Sequence, residues 1–330
     1  MATHVPRPSN PRGHPSVPGS TKEERPMSLL HHSLQNAWII RGTLELMSPL
    51  HIGVSERGAM GMDAKVVRWP DGRPVIPGSS LKGVLRSFLE TVGQNESLRN
   101  LLSPEGPPVC IITENPCGRE FRKKEDRDKW RRRQMAIPTN GDPDPDDGSR
   151  GSWDNLSEEE KAEIDRELAE AIYRSLCPIC RLFGNQLFAG KISIPDLVPE
   201  QGHPTEWFDV RDGVGIDRDT RTARNGVKYD FELVNPGVVF PLTVRAMNLE
   251  DDEQAWLLLG LEALRNGELF LGGKTSRGLG SVRGIGSWRI SRMESRGPED
   301  IVLHYLGRDE EEDYEPWVNQ VMGRYMSAGR

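Results

Sequence analysis

Four cysteines have the residue type and the spacing of a metal site. Cys177 and Cys180 form a C-x-x-C pair, and Cys110 and Cys117 lie upstream in VCIITENPC. Thiolates at C-x-x-C spacing fit two corners of the tetrahedron that Zn²⁺ prefers. The four cysteines therefore predict a structural zinc site with four thiolate ligands. One alternative is a site of three cysteines and His203, and four unrelated buried thiols are the other.

A glycine-rich segment, GGKTSRGLG at Gly272–Gly280, has the composition of an anion-binding loop. Glycines let backbone N–H groups approach phosphates closely, and Lys274 and Arg277 supply positive charge. The segment is not a nucleotide-binding P-loop, because that motif needs a glycine where Glu268 stands. A β-turn with solvated cations is the alternative interpretation.

A second candidate anion site is IPGSSLKG, at Ile76–Gly83. Ser79 or Ser80 is expected to supply the N-cap of a helix, and Lys82 falls in its first turn. The unpaired N–H groups and the dipole of a helix N-terminus favour anions. Ordinary capping explains the same residues without a ligand.

The elements that position these segments follow from hydrophobic periodicity. Apolar residues alternate in the segments predicted as strands and recur at helical spacing in the segments predicted as helices. In chain order these are AWIIRGTLELM (strand), PGSSLKGVLRSFLETV (helix), KISIPDLV (strand), VVFPLTVRAM (strand), EQAWLLLGLEALRNG (helix) and ELFLGGKTSRGLGSVRG (strand, loop, strand). This order predicts an α+β fold, a ferredoxin-like sandwich with the sheet type that RNA-recognition modules also use.

Composition shifts divide the chain into segments. We expect a disordered arm at 1–36, a core domain formed by 37–92 and 177–290, and a charged insertion, or lid, at 93–176 that carries Cys110 and Cys117. By composition alone the arginine-rich segment 210–232 would be a solvated loop, and we expect a C-terminal extension at 291–330. Ser157 and Glu160 predict a capping box at the start of a helix in the insertion.

The formal charge of −7 hides a mildly basic body. Residues 141–170 carry twelve acidic and three basic residues, and the run at Asp309–Asp313 adds five acidic residues. Without these two blocks the net charge is +7, which is compatible with a phosphate-rich partner. Blocks of like charge are usually solvated, so we expect both to be exposed. No long apolar run or signal-peptide pattern occurs, which predicts a cytoplasmic protein without a membrane partner.

Taken together, five motifs resemble the RAMP superfamily, and specifically the guide-RNA-binding backbone subunits of type III CRISPR effector complexes. The motifs, in the family's order, are LHIG at Leu50–Gly53, GMD at Gly61–Asp63, IPGSSLKG, CRLFG at Cys180–Gly184 and GGKTSRGLGSV at Gly272–Val282. The resemblance implies that the two candidate anion loops hold the guide backbone. It also implies that the 210–232 segment is a hairpin thumb that wedges between bases. The implied RNA-binding residues are Ser79, Ser80, Lys82, Arg86, Arg211, Arg218, Arg221, Arg224, Gly272, Gly273, Lys274 and Arg277.

The resemblance further implies that Asp63 is catalytic. RNA is cleaved when its 2′-OH attacks the adjacent phosphorus in line, and a carboxylate can accept the hydroxyl proton or hold Mg²⁺ or another divalent ion. The expected products carry a 2′,3′-cyclic phosphate and a 5′-OH. Asp71 is a second acidic candidate, but its Asp-Gly context is that of a turn. In this sequence Ala64 and Lys65 follow Asp63, where a Ser-Pro-like pair is expected.

The sequence therefore predicts an RNA-guided endoribonuclease whose partners are guide crRNA, complementary target RNA, copies of itself or related RAMP subunits, and other type III effector subunits. One alternative is a binding-only subunit of the same complex. The other is a guide-processing RAMP endoribonuclease that uses His51 as its base.

Overall fold

The computed structural model describes residues 30–54, 65–134, 153–200, 207–216, 218 and 221–326, with only the backbone at 214–216 and 223–229. The strands are β1 Asn36–Leu46, β2 Ile192–Ser193, β3 Phe208–Ile216, β4 Ala223–Val234, β5 Val239–Met247, β6 Val282–Glu294 and β7 Glu311–Asp313. The helices are α1 Gly78–Val92, α2 Glu96–Leu102, α3 Lys124–Gln134, α4 Glu158–Ser175, α5 Pro178–Phe183, α6 Asp251–Arg265, α7 Pro298–Tyr305 and α8 Tyr314–Met326.

One antiparallel sheet has the strand order β2-β5-β1-β6-β7. Four of these strands and two helices follow one another along the chain as β1, α1, β2, β5, α6 and β6. This is the β-α-β-β-α-β order of a ferredoxin-like fold. The α+β, ferredoxin-like prediction is confirmed. The predicted strand before the glycine-rich loop is only an isolated bridge between Phe270 and Ser281, because the glycines that follow turn the chain away.

The core lies between this sheet and α1 and α6. In β1 the alternate residues Trp38, Ile40 and Leu44 are buried, as the period-2 pattern predicts. The two helices approach closely at Gly260, where an added Cβ would lie 3.2 Å from Leu89 Cδ1. Among the described residues, no helix is both long and apolar enough to span a membrane.

Residues of the predicted insertion join the same core. Leu102, Phe121, Leu168 and Ile172 are buried in one cluster with the sheet and α1, because each helix turns an apolar stripe inward. The capping box at Ser157 is confirmed.

The segment 210–232 falls in a two-stranded antiparallel hairpin of β3 and β4. The hairpin is rooted on the main fold by paired hydrogen bonds between Leu50 and Val234, at 2.9 and 2.8 Å.

The acidic run at Asp309–Asp313 is exposed at Glu310, Glu311 and Asp313, as predicted, but it also takes part in the sheet. Its last three residues form β7 beside β6. Each pairs with an arginine of the sheet: Glu311 with Arg41, Glu312 with Arg292 and Asp313 with Arg289. The following helix α8 buries Tyr314, Trp317 and Val321 in the core. The C-terminal extension is therefore part of the folded domain.

The predicted disordered arm is also ordered at its end. The side chain of Asn248, 1% exposed, donates hydrogen bonds to the carbonyls of Leu30 and Ser33 and accepts one from the backbone N–H of Gln35. These bonds fix residues 30–36 because a buried amide needs partners. Residues 1–29 lie outside the described part of the chain.

A buried ionic network joins α5 to the start of α6. Lys191 Nζ donates to Glu253 Oε2 at 2.8 Å and to the Tyr173 hydroxyl at 2.6 Å, and both ionic side chains are fully buried. Arg181, from the CRLFG motif, adds ion pairs to Glu250 and Asp252. Burial raises the pKa of Glu253 and lowers that of Lys191, while their mutual attraction opposes both shifts.

Candidate nucleic-acid interface and metal centre

Three segments meet at the end of the sheet where β1 finishes and β6 begins. The LHIG segment lies between the other two: it is bonded to the hairpin root at Val234 and to the glycine-rich loop. The backbone N–H groups of Gly273 and Gly280 donate to the carbonyls of His51 and Pro49, both at 2.8 Å. The fold thus brings together the predicted glycine-rich site and the base of the predicted thumb.

The shape of the glycine-rich loop depends on left-handed backbone conformations. Gly272 has φ of 76°, and a Cβ there would lie 2.4 Å from the carbonyl oxygen of His51. Gly280 has φ of 84°, and a Cβ there would lie 2.0 Å from the carbonyl oxygen of Leu271. Only glycine fits either position without movement of the backbone. Lys274 also adopts φ of 61°, which is rare outside glycine.

Lys274 is half-buried, whereas four arginines of this region are exposed. Lys274 Nζ sits 4.6 Å from the centre of the Phe231 ring, a cation–π contact at the hairpin root. Arg277 ends a short 3-10 turn and is exposed. Three arginines of the hairpin segment are also exposed: Arg211, Arg218 and Arg221. Arg224 lies in β4 where only the backbone is described.

His51 is a buried structural residue in this arrangement. It is 6% exposed, and its Nδ1 lies 2.8 Å from the backbone oxygen of Glu232. Glu232 in turn accepts from the backbone N–H of Val66 at 3.1 Å and pairs with Arg68. These contacts hold the LHIG segment, the 65–68 segment and the hairpin root together.

Asp63 lies outside the described residues, as does His203. The two ends of the segment that contains Asp63 are described, and they are bonded to each other. Val54 N–H donates to the carbonyl of Lys65 at 3.1 Å, and Gly53 bridges Val66. Asp71 accepts hydrogen bonds from the backbone N–H and the Nε of Arg73 at 3.1 and 2.9 Å, which is the turn role expected of it.

The start of α1 differs from the expected serine cap. The N-cap is Pro77, and the Gly78 N–H donates to Asp196 Oδ1 at 2.8 Å. Ser79 and Ser80 therefore lie inside the first turn. An acidic side chain already occupies this N-terminus, because the dipole and the unpaired N–H groups attract a carboxylate as they would a phosphate.

The two cations predicted to follow on α1 are engaged within the protein. Lys82 Nζ donates to the carbonyl of Ile192 at 2.9 Å, and burial, followed by the nearby charge of Arg86, lowers the pKa of Lys82. Arg86 donates to Glu90 at 2.7 Å and to the Gly184 carbonyl at 2.6 Å. For Arg86 this geometry favours a role inside the protein over a phosphate contact.

The four cysteines converge, although they are distant in sequence. Their Sγ atoms all lie within 4.8 Å of one another, with Cys110 Sγ at 3.4 Å from Cys180 Sγ and 3.8 Å from Cys177 Sγ. Four sulfurs at the Zn–S distance of about 2.3 Å are separated by about 3.8 Å in a tetrahedron. The backbone N–H of Cys177 donates to Cys117 Sγ at 3.4 Å. The cluster thus has the donor set and the size of a tetrahedral metal centre.

The thiols perturb one another's ionisation. A hydrogen bond with the Cys117 thiol lowers the pKa of Cys110, and a hydrogen bond with the Cys110 thiol lowers the pKa of Cys177. The pKa of Cys180 is raised, first by its hydrogen bond with Cys110. Four adjacent thiolates repel one another, and a bound metal cation offsets this repulsion and favours the deprotonated thiols.

Several residues at these sites were not singled out from the sequence. Asp196 and Glu232 act through partners remote in the chain, so no local pattern marks them. Phe270 has a visible signal: an aromatic residue beside a glycine- and cation-rich loop. It is 47% exposed between the buried Leu269 and Leu271.

Comparison with known families gives one match. The family model of the RAMP superfamily matches residues 43–283, from within β1 to the start of β6. A search of curated proteins found no match for the chain.

Proposed function

The chain belongs to the RAMP superfamily, which makes it a CRISPR-associated RNA-binding protein, and we propose that it is a guide-RNA-binding backbone subunit of a type III CRISPR effector complex. In this proposal it also cleaves RNA that pairs with the guide. The observation that carries the proposal is the junction of the LHIG segment, the glycine-rich loop and the hairpin root at one end of a ferredoxin-like sheet.

The glycine-rich loop is proposed to hold the guide backbone. Its left-handed glycines let the loop backbone pack directly against the LHIG segment and Leu271, which fixes the loop's shape, and Lys274 and Arg277 provide the charge. The exposed hairpin arginines Arg211, Arg218 and Arg221 extend the basic surface outward from Phe231. A thumb in this place reaches away from the sheet while its root stays fixed.

Cleavage is assigned to Asp63. The 2′-oxygen attacks phosphorus as the carboxylate accepts the 2′-OH proton, and the bond from phosphorus to the 5′-oxygen breaks as that oxygen takes up a proton from water. A divalent ion such as Mg²⁺, if held by the same carboxylate, would stabilise the negative charge that develops on the phosphate. The guide-processing alternative with His51 as base is less well supported, because that ring is buried and engaged with the Glu232 carbonyl.

The metal centre is proposed to hold a structural Zn²⁺ through Cys110, Cys117, Cys177 and Cys180. All four ligands come from the protein, which is the closed coordination typical of structural zinc. Its function is to fasten the 93–176 insertion to α5 of the core.

The further proposed partners are neighbouring copies or related RAMP subunits along the guide, and the other effector subunits. A head-to-tail contact between copies extends instead of closing a ring, so particle length should increase with guide length. The proposed compartment is the cytoplasm.

The test uses the assembled guide complex, labelled complementary RNA and Mg²⁺, with cut sites and end groups mapped. Asp63→Ala and Asp63→Asn should each reduce cleavage by about a hundredfold or more while target binding persists, since only a positioned acid–base group is lost. Asp71→Ala is the matched control and should cut nearly as the wild type does.

Three results would contradict the proposal in different ways. Wild-type cleavage in Asp63→Ala would remove Asp63 from the mechanism. Loss of target binding in that variant would mean that Asp63 shapes the loop. Absence of cleavage by the wild type would leave the binding-only subunit.

A further inference from the structure

Arg86 lies on α1, the helix that begins within IPGSSLKG, and its side chain reaches the cysteine cluster. Its Nη2 donates to Cys180 Sγ at 3.4 Å, while Nη1 donates to the carbonyl of Gly184, the residue that ends α5, at 2.6 Å. One guanidinium therefore contacts both a candidate metal ligand and the end of the helix that carries it.

The guanidinium is held in this orientation by an ion pair. Arg86 and Glu90 lie one turn from each other on α1, and the distance between Arg86 Nε and Glu90 Oε1 is 2.7 Å. Their side chains are 14% and 9% exposed. The side chain has less rotamer freedom than a solvated arginine, because each of the three guanidinium nitrogens has a partner.

A donor at this position matters most when a metal is bound. Four thiolates around Zn²⁺ leave the centre with a net charge of about −2, and N–H···S bonds spread this charge and fix the direction of each sulfur lone pair. Cys117 receives such a bond from the backbone N–H of Cys177. Cys180 receives its bond from Arg86.

We propose that Arg86 is the positioning residue of the metal centre: it orients the Cys180 thiolate and joins the centre to α1. The inference rests on the proposed metal centre and replaces the phosphate contact expected from the sequence. This role goes further than a structural zinc site, because the position of α1, and with it the IPGSSLKG segment at its start, then depends on metal binding.

The experiment measures metal binding by the full-length protein without RNA. Wild type, Arg86→Gln and Glu90→Gln are loaded with Zn²⁺ and titrated with a competing chelator, and their Co²⁺-substituted forms are compared by absorption. Arg86→Gln should bind Zn²⁺ about 10- to 100-fold more weakly, the usual effect of removing an outer partner of a ligand. Its thiolate-to-Co²⁺ band should move to longer wavelength, because the unbonded sulfur is more electron-rich.

Glu90→Gln is the matched control. It removes the charge of the ion pair but keeps the side-chain size and an amide oxygen that still accepts a hydrogen bond from Arg86 Nε, so Arg86 stays directed at Cys180 and the metal affinity and Co²⁺ band should stay near those of the wild type. The double variant Arg86→Gln/Glu90→Gln leaves no unpaired buried carboxylate and supplies the same test if Arg86→Gln does not fold. It should show the same weakening and the same band shift as Arg86→Gln.

Unchanged affinity and an unchanged Co²⁺ band in folded Arg86→Gln or in the double variant would overturn the role of Arg86. An equal loss in Glu90→Gln would also overturn it, since the effect would then belong to helix packing. If the wild type binds neither metal, the proposed metal centre itself is wrong. The proposal that the glycine-rich loop binds the guide does not depend on that result.

Discussion

Gly272 and Gly278 offer a matched test of the glycine-rich loop. Both have positive φ, 76° and 82°, and both lie in the same loop. They differ in the space around them: a Cβ at Gly272 would lie 2.4 Å from the backbone oxygen of His51, whereas a Cβ at Gly278 would have nothing within 4 Å. Gly278→Ala therefore measures backbone strain alone, and Gly272→Ala measures strain plus a clash.

The expected magnitudes follow from these distances. The left-handed conformation costs an alanine about 1–2 kcal/mol, partly offset by about 0.5–1 kcal/mol because alanine loses less backbone freedom on folding. We expect Gly278→Ala to lower the free energy of unfolding by about 1 kcal/mol. Gly272→Ala must also displace the His51 carbonyl and weaken its 2.8 Å bond from Gly273, which brings the expected loss to about 2–4 kcal/mol.

The assay combines denaturant unfolding with guide-RNA binding at fixed salt concentration. Gly272→Ala should weaken RNA binding as well as stability, because the loop is displaced from the LHIG segment. Gly278→Ala should change binding much less. Equal losses in the two variants, in either measurement, would refute the argument that close contact with His51 sets the shape of the loop.

Two further predictions concern single charges. Lys274→Gln should reduce the slope of log binding constant against log salt concentration by about 1, because one phosphate contact is lost; an unchanged slope would count against Lys274 as a phosphate ligand. Lys191→Met should lower the free energy of unfolding by about 3 kcal/mol, the lower end of the range for a broken buried ion pair, because the fully buried Glu253 loses its closer cation and keeps only Arg181, whose Nε lies 3.3 Å from Glu253 Oε1. Adding Glu253→Gln to Lys191→Met should restore part of this loss in denaturant unfolding, and a double variant as unstable as the single one would contradict the interpretation.

The sequence by itself determined the features that repeat at short range. Alternation in β1 and β5 and the apolar stripe of α1 identified the ferredoxin-like order, since burial of one face imposes a period on local sequence. The C-x-x-C spacing identified half of the metal centre, because two ligands on one turn are fixed by local geometry. The glycine-rich loop was equally visible, since its backbone conformations require glycine.

Only the tertiary structure decided the features that depend on a distant partner. Asp196 reaches the start of α1 from 118 residues away, so no local pattern distinguished it from a surface aspartate. The acidic residues of β7 are largely exposed, as expected, but their pairing with arginines of β1 and β6 could not be inferred from the sequence.

Arg86 shows the physical reason most directly. On the sequence it is a cation in a segment expected to bind phosphate, and the helical periodicity fixes the direction in which it leaves α1. What it meets there, Glu90 on its own helix and Cys180 from 94 residues further along the chain, depends on how α1 packs on α5. Local sequence encodes the conformation of a segment, whereas the partner of a long charged side chain is set by which segments the core brings together.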